Sequence, residues 1–283
     1  MSDTSINNKR IAKNTLFLYL RMGLVLVVSL FTTRVVLQAL GVEDYGINNV
    51  VSGFVTMFAF LNTSMSNGVQ RFYNFSLGKK NEYSITDVYN TALQIQIILS
   101  VVLLLLLETF GLWYIHTQMI IPDERFSAAL WVFHFSVLSL VLLVLQIPYS
   151  AAIMAYERMD YYAYLSIFDV MAKLGIAYAI KYAAIDKLIL YGALNMIVSL
   201  ICFFLYYGYA KRQFHELKTD LKIRKEIFQP MLSFSGWNVF GSFAYMIKGQ
   251  GLNMLLNVFF GPVVNAARGI STMVMSAIQG FQA

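Results

Sequence analysis

Long apolar runs, each about as long as a bilayer core is thick, alternate with short polar turns along nearly the whole chain. Eight such runs can be marked. The first four extend from Leu16 to Leu40, Tyr45 to Val69, Val88 to Ile115 and Phe126 to Tyr149. The others extend from Tyr161 to Tyr182, Leu188 to Tyr209, Met231 to Phe259, and Val263 to the C-terminus. A bilayer cannot hydrogen-bond a bare backbone, so only helices and closed barrels cross it. Runs of about 20 residues, apolar on every side, are helices; barrel strands are about 10 residues long and alternate. The pattern predicts an all-α polytopic membrane protein of about eight transmembrane helices. The second and eighth runs are polar enough that hydropathy alone passes over them.

Composition agrees with the pattern. Of 283 residues, 58% are hydrophobic and 13% charged, against roughly 45–50% and about 25% in a soluble domain. Mean hydropathy is +0.62. The first run is too long for the h-region of a signal peptide, about 7–15 residues, and no small-residue cleavage site follows it, so it stays as a helix. The formal charge of +6 reflects basic loops and not a nucleic-acid partner. Lys9, Arg10, Lys13, Arg71, Lys79, Lys80 and Arg158 fall on one side of the predicted helices. Lys211, Arg212, Lys218, Lys222, Arg224 and Lys225 join them there. The other side has only Arg125, Lys181 and Lys187. Positive charge marks the inside, so the N-terminus is expected in the cytoplasm. The lone cysteine, Cys202, lies in an apolar run, and no Cys/His spacing calls for a metal or any cofactor.

Lys211 to Gln229 is the one extended polar stretch, with Pro230 at its end. Its mixed charges predict a solvated helix near the cytoplasmic surface. It divides the chain into a six-helix lobe (1–210), a linker (211–230) and the first two helices of a second lobe (231–283). A shift of 220 positions supports this division. It sets Gly41 on Gly261, Asn48 on Arg268, Ser52 on Thr272 and Thr56 on Ser276. Duplicated lobes are common in secondary transporters, with the substrate between them. A six-helix second lobe would need four more helices, so the chain is expected to be either a fragment or a naturally shortened protein.

Ionisable side chains inside a span cost about 2.5–3.5 kcal/mol each on insertion scales. Arg21, Arg34, Asp169, Lys173, Lys248 and Arg268 all fall inside spans. Arg21 and Arg34 lie near span ends, where they can either snorkel or face a cavity. Lys248 sits mid-span between Ile247 and Gly249-Gln250-Gly251; the glycines weaken the helix, so Gly249 and Gly251 are candidate hinge residues. Asp169 and Lys173 share a helix face. They are either a mutually neutral pair or an ion-coupling site at which Asp169 exchanges H⁺ or Na⁺. Glu108 is expected at the interface. Helix two carries Asn49, Ser52, Thr56, Thr63 and Ser66 as a polar stripe; helix eight carries Asn265, Arg268, Thr272, Ser276 and Gln279. Such stripes either glue helices together or line a shared cavity. A cavity of cations and amides suits an anionic, hydroxyl-rich ligand, such as phosphate joined to sugar.

Four segments carry a family resemblance. They are Asn7-Asn8-Lys9-Arg10-Ile11-Ala12-Lys13-Asn14-Thr15, the turn Leu40-Gly41-Val42-Glu43-Asp44-Tyr45-Gly46-Ile47, Ser66-Asn67-Gly68-Val69-Gln70-Arg71-Phe72 with Leu77-Gly78-Lys79, and Phe259-Phe260-Gly261-Pro262-Val263-Val264-Asn265-Ala266-Ala267-Arg268-Gly269-Ile270. The chain resembles the Wzx-type polysaccharide flippases, which belong to the multidrug/oligosaccharidyl-lipid/polysaccharide (MOP) exporter superfamily. The resemblance implies two lobes around a central cavity with alternating access. It implies that an undecaprenyl-diphosphate-linked oligosaccharide is moved across the bacterial cytoplasmic membrane for lipopolysaccharide or capsule synthesis. Arg21, Lys248 and Arg268 are the cations it would place against the diphosphate and sugars. Membrane lipids and other polysaccharide-assembly proteins are the implied neighbours. The alternative within the superfamily is a drug/cation antiporter, whose substrates favour a carboxylate-rich cavity. A membrane-embedded glycosyltransferase or polymerase fits less well, because the outer loops are short and His116, His134 and His215 show no ligand spacing. A non-transporting remnant is the last reading.

Overall fold

The computed structural model describes residues 3–78, 83–119, 121–220 and 224–244. Lys248, Gly249, Gly251, Asn265, Arg268, Thr272, Ser276 and the eighth predicted span lie outside the described residues, as does the far half of the seventh. All the regular structure described is helical. Five stretches are long and apolar enough to cross a membrane: Thr15–Leu77, Ile85–Gln118, Asp123–Ala155, Met159–Lys181 and Lys187–Gln213. The chain is a multi-pass membrane protein.

Helix α1 (Asp3–Thr56) has 54 residues, about 80 Å if straight at 1.5 Å per residue. The hydrocarbon core is only ≈ 30 Å thick, so a straight α1 would overshoot it. Gly41 provides the break. Its φ of 82° and ψ of 171° lie in a region that is essentially closed to residues with a Cβ. The polypeptide turns there and re-enters as a second span, which passes through a 3₁₀ turn at Met57–Ala59 into α2 (Phe60–Leu77).

The third span is α3 (Ile85–Leu106), a π turn at Leu107–Gly111 and α4 (Leu112–Gln118). Ser84 caps it, its hydroxyl accepting from the Asp87 N–H at 3.2 Å, one of the donors an α-helix start leaves unpaired. The fourth is α5 (Asp123–Leu145) with α6 (Ile147–Ala155), joined at Gln146 just before Pro148, a placement that spares a proline its missing donor. The fifth is α7 (Met159–Lys181) and the sixth α8 (Lys187–Gln213). A last segment, α9 (225–244), follows.

The first half of α1 runs alongside and parallel to α7. Arg21 stands over Tyr162 near the start of α7, and Val35 and Val36 pack on Ala177 near its end. Leu61, Met65, Val69 and Tyr73 of α2 meet α3, α6 and α8 in one core. Ile47, Val51 and Val55 pack on α5 in another. The rim of these packed helices is apolar as well: Leu20, Leu105 and Phe204 are 61%, 61% and 57% exposed. In water such a surface would aggregate; in lipid it is the solvated face. Lipid tails are as apolar as leucine, so close packing and polar contacts hold the helices together.

The polar linker departs from expectation. It is helical at 211–213 and from 225 onward, but not at 214–220. After Gln213 the chain runs without regular structure from 214 to 220, with Phe214 and Leu217 buried at 7% and 2% exposure. Asn90 holds this strap at both edges: its amide donates to the Lys218 carbonyl at 2.9 Å and its Oδ1 accepts from the Asp220 N–H at 2.7 Å. Thr86 donates to the Glu216 carbonyl at 2.7 Å, and Arg224 pairs with Asp87 at 2.7 Å. Two buried apolar side chains and side-chain partners for the backbone outweigh the weak pull of a short isolated helix. From the strap, α9 rises against α2, with Ser242 accepting from Ser64 at 2.7 Å and Phe234 beneath Arg71 at 4.1 Å.

Candidate functional site

The spans enclose a cavity of about 850 Å³ between the two halves of α1, α5, α7 and α8. Each helix contributes a stripe with helical spacing. Arg21, Val25 and Ser29 come from the first half of α1, and Asn48, Ser52 and Thr56 from the second. Ser136 and Ser139 come from α5; Tyr162, Ser166, Asp169 and Lys173 from α7; Asn195, Ser199, Cys202 and Tyr206 from α8. Positions three or four apart share a face, so every stripe turns its polar atoms inward together.

Several serine hydroxyls of the wall are committed as donors. Ser136 donates to the Val132 carbonyl at 2.7 Å, Ser139 to Phe135 at 2.8 Å, and Ser166 to Tyr162 at 2.8 Å. The Asn195 amide donates to the Tyr191 carbonyl at 2.8 Å, and Ser199 donates to Asn195 at 3.1 Å. A serine whose proton is engaged still has acceptor capacity. The wall therefore offers acceptors to whatever enters.

Among the described residues, three charges sit in the cavity. Lys173 donates to Asp169 at 2.8 Å, so this pair cancels; of the two sequence readings, the mutual pair is the one the geometry displays. Arg21 is different. Its Nη1 reaches the Ser166 hydroxyl only at 3.4 Å, its guanidinium carbon lies 4.9 Å from the Tyr162 ring, and its Nε is buried with no hydrogen-bond partner. No described carboxylate forms an ion pair with it. A guanidinium has five donors, and here most lack a protein acceptor.

Of the residues expected at a site, Arg21, Ser52, Thr56, Asp169 and Lys173 converge on this cavity. Asn49 does not: it is exposed, and Asn48 takes its place, its Oδ1 accepting from Ser52 at 3.3 Å. Thr63 is exposed as well, beyond the 3₁₀ turn that rotates the stripe out of phase. Arg34 is exposed near the end of the first span. Glu108 is not simply interfacial, since its Oε1 meets His134 Nδ1 at 3.0 Å between the third and fourth spans. The stripes on α5 and α8 escaped the sequence reading because neutral residues stood out less than charges. Their signal was present in the spacing of Ser136 and Ser139, and of Asn195 and Ser199.

Beyond one end of the cavity, Arg125 joins three turns. It grips Asp44 at 2.8 and 2.5 Å and Asp186 at 2.6 Å. Asp186 also accepts from the N–H groups of Leu188 and Ile189 at the start of α8. Burial pushes the Asp186 pKa up, but Arg125 and the two N–H groups outweigh it and hold the pKa below its ordinary 3.8. A depressed carboxylate contributes stability that is present above the unfolded value and lost as pH falls through the folded one. Asp186→Asn should therefore melt lower than wild type near neutrality and lose less on acidification from pH 5 to below pH 4. Equal acid slopes in thermal melts would refute the assignment.

No protein-family model matches the chain, and no curated protein matches it. Solved structures do. The outward-facing conformation of a multidrug resistance MATE family transporter of the MOP superfamily superposes with a TM-score of 0.77 at 14% identity, over 95% of this chain and 62% of that one. The fold is that of MOP-superfamily transporters. A MOP-superfamily transporter from Pyrococcus furiosus, described as having a binding pocket of reverse polarity that suggests a different function, gives a TM-score of 0.75 at 13% identity, again over 95% and 62% of the two chains. This chain thus spans 62% of the length of each of these MOP proteins.

Proposed function

We propose that this protein moves a lipid-linked oligosaccharide, joined to its lipid through diphosphate, across the bacterial cytoplasmic membrane by alternating access. The observation that carries the reading is Arg21, an uncompensated guanidinium inside a cavity walled by hydroxyl and amide acceptors. Diphosphate is the counterpart of the guanidinium fork, and sugar hydroxyls are donors for the wall. The MOP fold supports transport in general, and the resemblance of the turns around Gly41 and Gly261 supports the glycan branch. Lys248 and Arg268 belong to the same proposal through their sequence positions, and the basic loops support an N-terminus in the cytoplasm. Two lobes, 1–210 and 231–283, remain the proposed plan.

Drug/cation antiport has one observation in its favour, because an acceptor-rich wall with Asp169 also suits a cation. Arg21 and Lys173 oppose it. Proteoliposomes containing the full chain decide between them. A fluorescent polyprenyl-diphosphate oligosaccharide should become inaccessible to an external quencher, while ethidium should not accumulate. Ethidium uptake without glycolipid movement would overturn the proposal in favour of antiport.

A further inference from the structure

A second concavity, of about 660 Å³, opens on the outer side of the seam between α1 and α7. Leu16, Leu20, Gly23 and Leu24 of α1 and Tyr164 and Ile167 of α7 line it. Leu16, Leu20 and Tyr164 are well exposed on this side, where the surrounding medium is lipid. The groove runs alongside Leu16 to Leu24, about 12 Å of helix at 1.5 Å per residue. Gly23 widens it: a Cβ built there meets nothing within 4 Å, so no close helix contact accounts for a glycine in mid-helix. Among the described residues Arg21 is the one charged residue of the groove, and it lines the central cavity too. The same side chain therefore faces hydrocarbon on one side of the seam and a polar chamber on the other.

From this juxtaposition we infer that the groove seats the hydrocarbon chain of the lipid-linked diphosphate, with the diphosphate on Arg21 and the glycan in the cavity. The inference rests on the function proposed above and adds to it the place where the lipid stays while its head is enclosed. Charge complementarity selects the occupant. A neutral lipid would leave Arg21 without its anion, and a soluble sugar phosphate would leave the apolar groove empty. An amphiphile with chain, diphosphate and hydroxylated head meets all three surfaces at once. The chain need not leave the bilayer, so only the polar head loses its solvent, and the polar wall replaces that solvent.

The test measures binding to the purified full chain in detergent with farnesyl diphosphate, which has chain and charge, and inorganic pyrophosphate, which has charge alone. Wild type should prefer farnesyl diphosphate. Gly23→Leu fills the groove, and Leu20→Trp narrows it from a neighbouring position on the same helix; each should weaken farnesyl diphosphate by about tenfold or more, in keeping with the apolar area lost, and leave pyrophosphate nearly unchanged. Arg21→Gln should weaken both ligands. Two groove variants at separate positions guard against a folding defect in either, and unchanged pyrophosphate affinity shows that the cavity is intact. The inference is overturned if both groove variants bind farnesyl diphosphate as wild type does, or if phosphatidylglycerol displaces it at equal concentration and the groove is an ordinary lipid seat. In either case, continued loss of pyrophosphate binding in Arg21→Gln preserves the anionic cavity. If Arg21→Gln changes neither ligand, the proposed function falls with the groove.

Discussion

Arg21→Gln is expected to reduce glycolipid transport by about 10- to 150-fold, the range that corresponds to one hydrogen-bonded charge at roughly 1.5–3 kcal/mol. The direction follows from the cavity's charge balance. Asp169 and Lys173 neutralise each other at 2.8 Å, so among the described residues Arg21 sets the sign of the field. Its unpaired Nε and its long bond to Ser166 leave the guanidinium ready to accept an anion without first breaking a protein contact, and little reorganisation accompanies binding. Arg21→Lys keeps the charge and loses the planar fork, so it should fall between wild type and Gln. Initial rates of lipid-linked oligosaccharide movement in proteoliposomes, normalised to folded protein, check the series. A Gln variant as fast as wild type would remove the cation from the mechanism.

Gly111→Val should lower the stability of the fold by about 3 kcal/mol, the upper part of the usual overpacking range. Gly111 closes the π turn of the third span. A Cβ there would sit 2.7 Å from the Cζ of Phe133 and 3.3 Å from Phe54. Phe133 is fully buried, and Phe54 is stacked on Tyr114 with ring centroids 5.1 Å apart, so neither ring has free space to enter. The variant should melt well below wild type in detergent. Gly111→Ala with Phe133→Leu should recover much of the loss, because the second change vacates the space the first needs. A Val variant with unchanged melting would mean that the third span shifts freely against the fourth.

Much of the lobe was legible in the apolar runs. The five stretches able to cross a membrane fall where the first six runs were expected, the first two runs being joined across Gly41, because a chain in lipid must carry about 20 apolar residues per crossing. The break between the first two spans was marked by Gly41. The Asp169–Lys173 pair was legible because an i, i+4 contact needs no knowledge of neighbouring helices. The cavity face of helix two was legible only in part. Ser52 and Thr56 face inward, but Asn48 and Asn49 each lie within one turn of Ser52, and only packing on α5 admits the first and excludes the second. The strap at 214–220 was misread because its charges suggested solvent, whereas Phe214 and Leu217 found a core and Asn90 supplied the backbone partners.

The amino-acid sequence alone determined that the described chain is built of apolar helices long enough to cross a bilayer, where the first of them breaks, and that charged residues fall within them. These follow from the cost of polar groups in hydrocarbon, which acts residue by residue. The tertiary structure alone decided which side of each helix faces the cavity, that Arg125 ties together three turns, and that Arg21 belongs to both the chamber and the lateral groove. In water, burial would have printed an apolar face on each helix. In lipid both faces are apolar, so inward and outward are distinguished only by the helices that pack alongside.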